Sequence, residues 1–69
     1  MNLREARFKM GLTQYDINRV SGVHQSRISL IERGYVSATL KEKRAISKVL
    51  QVNPKEINWP AHNRRRPNG

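Results

Sequence analysis

The side chains with chemistry to offer are almost all cationic. Lysine and arginine number 14 against 5 aspartates and glutamates, leaving a net charge of +9 and a pI near 11.3 on 69 residues. Lys41, Lys43 and Arg44 stand together, and Arg64, Arg65 and Arg66 are consecutive. Cations at this density attract polyanions, nucleic acid first and an anionic membrane surface second. Other chemistries lack their residues. Cysteine is absent, so there is no disulfide and no thiolate-bound zinc or iron–sulfur centre. His24 and His62 are far apart in sequence and no His–carboxylate cluster is present. The glycines Gly11, Gly22 and Gly34 each suit a turn or a helix cap rather than a phosphate loop. The sequence is read as a non-enzyme with no cofactor and no metal.

Whatever positions these cations is small. The length allows one domain, without room for a separate sensing or dimerisation domain. No apolar run reaches the roughly 20 residues that span a bilayer. The N-terminus lacks a signal-peptide core, so a cytoplasmic location is expected.

Helix punctuation is dense. Asn2 with Glu5, Thr13 with Asp16, Thr39 with Glu42 and Asn53 with Glu56 are four capping-box signals. With the apolar segment between Gly22 and Gly34 they predict five helices. The first carries Leu3, Ala6 and Met10 and stops at Gly11. The second carries Ile17 and Val20 and is broken at Ser21-Gly22-Val23. The third runs from about His24 or Gln25 to Glu32, with Ile28 and Ile31 inward and Gly34 at its close. The fourth carries Leu40, Ile46, Val49 and Leu50. The fifth is short, with Pro54 at its first position and Ile57 and Trp59 packing back. No segment alternates as a strand would. Residues 1–59 form the domain, and residues 60–69 are expected to be a disordered basic tail.

The informative stretch runs from Gly11 to Gly34. Two short helices are separated by a turn in which Gly22 can take a left-handed backbone and Val23 can plug the angle between them. Gly11-Leu12-Thr13-Gln14, Gly22-Val23, Ile28-Ser29 and Ile31-Glu32-Arg33-Gly34 together resemble the Cro/repressor (XRE-type) helix-turn-helix family. The resemblance covers about residues 3 to 58. It implies a compact, all-α, five-helix lambda-repressor-like bundle whose third helix enters the DNA major groove.

The resemblance also assigns roles. Gln14 matches a glutamine that bonds a phosphate, beside the free amides that open its helix. Arg7 and Glu32 match a structural ion pair. Gln25, Ser26 and Leu30 take base-edge positions. A glutamine can pair with adenine, a serine can donate or accept, and a leucine can touch only an apolar feature such as a thymine methyl. Leu30 has a second possible place, in the core beside Ile31. Arg27 can take a phosphate, or a guanine if it swings inward. Arg33, Lys41 and Lys43 are candidate phosphate contacts, and Arg64 to Arg66 can enter a narrow minor groove or add non-specific attraction. His24, where a serine or threonine is usual, is a poor cap or a phosphate contact.

Three residues depart from the family pattern. Asn18 replaces a small alanine at the tight helix–helix contact and must find a hydrogen-bond partner or push the helices apart. Ser21 replaces an apolar residue, with Val20 expected to take over its packing. Gln51 replaces the glycine after the fourth helix. The implied activity is that of a transcriptional regulator, a repressor of phage, mobile-element or bacterial origin, dimeric on a two-fold site in double-stranded DNA. The competing reading is a protein-interaction module, such as an antitoxin or bridging factor of the same fold, using Tyr35, Val36 and Trp59.

Overall fold

The computed structural model describes residues 1–60. Four α-helices follow in order: α1 (Leu3–Lys9), α2 (Gln14–Ser21), α3 (Gln25–Glu32) and α4 (Leu40–Leu50). A single 3₁₀ turn at Pro54–Glu56 follows them. His62, Arg64 to Arg66 and nearly all of the expected tail lie outside the described residues.

Three of the helix starts close as reciprocal boxes. The Asn2 side chain accepts from the Glu5 amide at 2.8 Å, and Glu5 accepts from the Asn2 amide at 2.8 Å. Thr13 with Asp16 and Thr39 with Glu42 do the same within 3.1 Å. Each cap satisfies amides that a helix start leaves without intrahelical partners, and contributes about 1 kcal/mol.

The fifth helix is a turn instead. Asn53 caps the Lys55 amide at 3.0 Å and Pro54 occupies the first position. Ile57 then turns extended, at φ −104° and ψ 132°. It is 4% exposed, and the next amide, of Asn58, donates to the Met1 carbonyl at 2.7 Å. Continuing the helix would carry Ile57 out of the core and break this tie, which sits beside an isolated parallel bridge between Asn2 and Asn58. The two ends of the domain are joined there.

The core is Leu3, Ala6, Ile17, Val23, Ile28, Ile31, Ile46, Leu50 and Ile57. All the isoleucines of the chain are in it. Each contributes about 1.5–3 kcal/mol through burial, and the branched side chains hold few rotamers. The core therefore sets the rotation of every helix around it. Three residues expected inside are out. Leu40 sits about 120° around α4 from Ile46 and is 63% exposed. Val20 is 65% exposed and does not replace Ser21 in packing. Met10, past the last helical residue, is 41% exposed. Met10 and Val20 line an apolar cleft with Leu12 and Val49, between the end of α1, α2 and α4.

Candidate nucleic-acid interface

α3 is fixed from beneath and at its start. Ile28 and Ile31 anchor it in the core. At about 100° per residue, the opposite side carries Ser26, Ser29, Leu30 and Arg33, with Gln25 at one edge and Arg27 at the other. Gln25, Ser26 and Arg33 are exposed, while Ser29, Leu30 and Arg27 are half-buried.

The turn before α3 explains the departures at Asn18 and His24. Gly22 closes α2 at φ 84°, a left-handed backbone that favours glycine. Val23 is buried behind it, and its amide donates to the Ser21 hydroxyl at 3.0 Å. The Asn18 side-chain oxygen accepts from the Gln25 amide at 3.1 Å. Asparagine thus finds its partner across the helix junction and caps α3 from α2. His24 does the second half: its Nδ1 accepts from the Ser26 amide at 3.1 Å and lies 2.8 Å from the Ser26 hydroxyl. The first two amides of α3 are therefore held by protein side chains, and the ring beside Ser26 orients its hydroxyl.

One flank of α3 meets α1 and α2. Arg7 Nε donates to Glu32 Oε2 at 2.8 Å and a terminal nitrogen to Oε1 at 3.2 Å, while the other terminal nitrogen donates to the Leu12 carbonyl at 3.1 Å. Gln14 Nε2 donates to Glu32 Oε1 at 3.0 Å. The Arg7 and Glu32 side chains are only 10% and 6% exposed. Gln14 is thereby held at the mouth of a polar cleft of about 200 Å³, lined also by Arg4, Arg7, Ser29, Glu32 and Arg33. Its amide nitrogen keeps a second N–H for an anion.

The other flank meets α4. Arg27 Nε donates to Glu42 Oε2 at 2.9 Å, and a terminal nitrogen donates to Oε1 at 2.7 Å and to the Ser37 carbonyl at 3.4 Å. These hydrogen bonds raise the Arg27 guanidinium further above its ordinary range and hold the Glu42 carboxyl below its own. A second cleft, of about 260 Å³, lies here between the turn and α4, lined by His24, Lys41 and Glu42 among others. Lys41 is exposed at its edge. Lys43 is half-buried on the core-facing side of α4, with its ammonium 6.0 Å from the Trp59 ring. Of these two lysines, Lys41 is the one beside the start of α3.

Four of the five acidic side chains are already engaged. Glu5, Asp16, Glu32 and Glu42 are each in a capping box or an arginine fork. The Thr13 amide and hydroxyl hold the Asp16 carboxyl below its usual range. The outward face of α3 is thus a strip of Gln25, Ser26, Ser29 and Leu30, uncharged as far as Arg33 at its C-terminal end, between two clefts rimmed by Arg4 and Arg33 on one side and Lys41 on the other.

Arg4, Ser29, Asn18 and Glu42 were not singled out as site residues. Ser29 shares a helix face with Gln25 and Ser26, a spacing visible in sequence. Arg4 lies one turn before Arg7, which the same periodicity shows. Nothing local to Arg27 points to Glu42. No helix among the described residues is long and apolar enough to cross a membrane.

A family model described as helix-turn-helix matches residues 3–57, from the first residue of α1 to Ile57. No curated protein and no solved structure matches the chain.

Proposed function

We infer function from the family together with the outward face of α3: the chain belongs to the Cro/repressor (XRE-type) helix-turn-helix family. It is a DNA-binding helix-turn-helix regulator. We propose that it is a repressor acting in the cytoplasm, that residues 1–59 are its DNA-binding domain, and that it binds double-stranded DNA as a dimer on a two-fold site. One module of this size covers little duplex, which favours paired half-sites.

The observation that carries the reading is the strip of α3 between two cation-rimmed clefts. In the proposed complex, Gln25 and Ser26 meet base edges in the major groove, and Leu30 touches a thymine methyl at the edge of the strip. Gln14 and Arg33 take phosphates at one flank and Lys41 at the other. The phosphate contacts assigned to Arg27 and Lys43 require each to leave its present partner, Glu42 or Trp59. Arg7 and Glu32 act as the structural pair that holds α3 against α1 and positions Gln14. The basic segment after residue 59 adds sequence-independent attraction.

Selection of bound duplexes from a random pool tests this. A short site with two-fold symmetry is expected. Gln25→Ala is expected to relax preference at one position of each half-site, costing about 1–3 kcal/mol, and Lys41→Ala to weaken all sequences alike. Unchanged base preference in Gln25→Ala would remove α3 from the reading role.

A further inference from the structure

Arg27 is the only cation within α3, and it stands on the first turn beside Gln25 and Ser26. A free arginine there has strong partners in a duplex: phosphate oxygens, or O6 and N7 of guanine in a bidentate contact. In the protein alone it already has a bidentate partner. Both Glu42 oxygens accept from its guanidinium, at 2.9 and 2.7 Å.

Glu42 is well placed to keep it. Its Oε1 also accepts from the Thr39 amide at 2.9 Å as part of the box that starts α4. The carboxylate is therefore fixed before it meets Arg27, and little side-chain freedom is lost in forming the fork. The box alone does not need the charge, because glutamine serves equally at that position. The negative charge has its use in the arginine. An approaching phosphate gains little from the closed fork, because Glu42 neutralises the arginine's charge.

We propose that Glu42 is a specificity-determining residue, which clamps Arg27 against α4 and so withholds the one cation of the reading helix from the bases. This rests on the DNA-reading role of α3. The wild-type strip is then confined to what a carboxamide, two hydroxyls and a leucine can read. Guanine recognition by Arg27 is latent, and Glu42 suppresses it.

The test is selection of duplexes by wild type, Glu42→Gln, Arg27→Ala and the double variant, each checked for folding by its melting curve. Glu42→Gln keeps an oxygen for the Thr39 amide but turns an NH₂ toward the guanidinium, opening the fork while the cap remains. It is expected to gain about tenfold preference for guanine at one position. A steeper salt dependence, by about one unit of slope, with no gain for guanine would mean that the freed cation goes to the backbone and would overturn the latent guanine recognition. Arg27→Ala is expected to select the wild-type site, and the double variant to lose whatever Glu42→Gln gained. Should Glu42→Gln fail to fold, Arg27→Ala still decides: loss of a wild-type guanine preference would overturn the clamp. Identical sites and salt slopes for wild type and Glu42→Gln would overturn the clamp alone. A wild type that selects no sequence would overturn both the clamp and the reading beneath it.

Discussion

Two arginine–carboxylate forks grip α3, one on each flank, and their chemistry is the same. Their surroundings differ. At Arg7–Glu32 the side chains are 10% and 6% exposed, and the arginine's remaining nitrogen is taken up by the Leu12 carbonyl. At Arg27–Glu42 they are 36% and 18% exposed, and the third contact is a long 3.4 Å to Ser37. A buried fork cannot exchange partners without stranding a charge, so it behaves as part of the frame. A half-open fork competes with water, so its partners can be parted at lower cost. Burial, not residue type, separates a pair that is locked in place from one that can be opened.

The largest effect should come from breaking the buried fork. Arg7→Ala strands Glu32 and also loosens Gln14, and is expected to cost about 3–5 kcal/mol in denaturant unfolding. A domain of this size has little more than that to lose. Glu42→Gln should lower the melting temperature far less. If the two variants were equally damaging, the distinction between the forks would fail.

Acid should probe the open fork next. Arg27 holds the folded-state Glu42 carboxyl below its ordinary value, and the Thr13 amide does the same for Asp16. A lowered folded value means stability that is complete above the ordinary carboxylate range and is lost as pH falls through the folded value. The melting temperature is therefore expected to hold down to about pH 4 and to fall below it. In Glu42→Gln part of that fall should be missing. An identical acid profile in the two proteins would mean that the open fork contributes nothing to the fold.

The smallest change supplies a better background for both comparisons. Gln51 follows α4 with φ 59°, a left-handed conformation in a residue that carries a Cβ. Gln51→Gly should raise stability by about 1 kcal/mol in thermal unfolding, with DNA binding unaltered. Arg7→Ala made in that background would leave more folded protein in which to measure binding.

Much of the frame was legible in sequence because its signals are local. The caps at Asn2, Thr13 and Thr39 and the glycines at 11, 22 and 34 set helix ends without reference to anything distant. The isoleucines at 28 and 31 set which side of α3 faces out. What failed was decided by packing between elements. Leu40 has the right type but the wrong angle, and Val20 points where no helix covers it. The turn at Pro54 is cut short by a tie to Met1, at the other end of the domain. In the site, Asn18 looked like a defect because its partner, the Gln25 amide, is brought near only by the turn. The Arg27–Glu42 fork joins helices whose relative rotation no spacing rule records.

In the proposed complex α3 reads base identity while the flanking cations hold the backbone. Titrating a selected site against random duplex of equal length, across a range of salt, tests it most directly. Both affinities should fall with salt along similar slopes, while the selected site keeps a preference of at least about 10³ at every concentration. Equal affinity for the two duplexes, falling together to nothing, would show a basic surface that attracts DNA and does not read it.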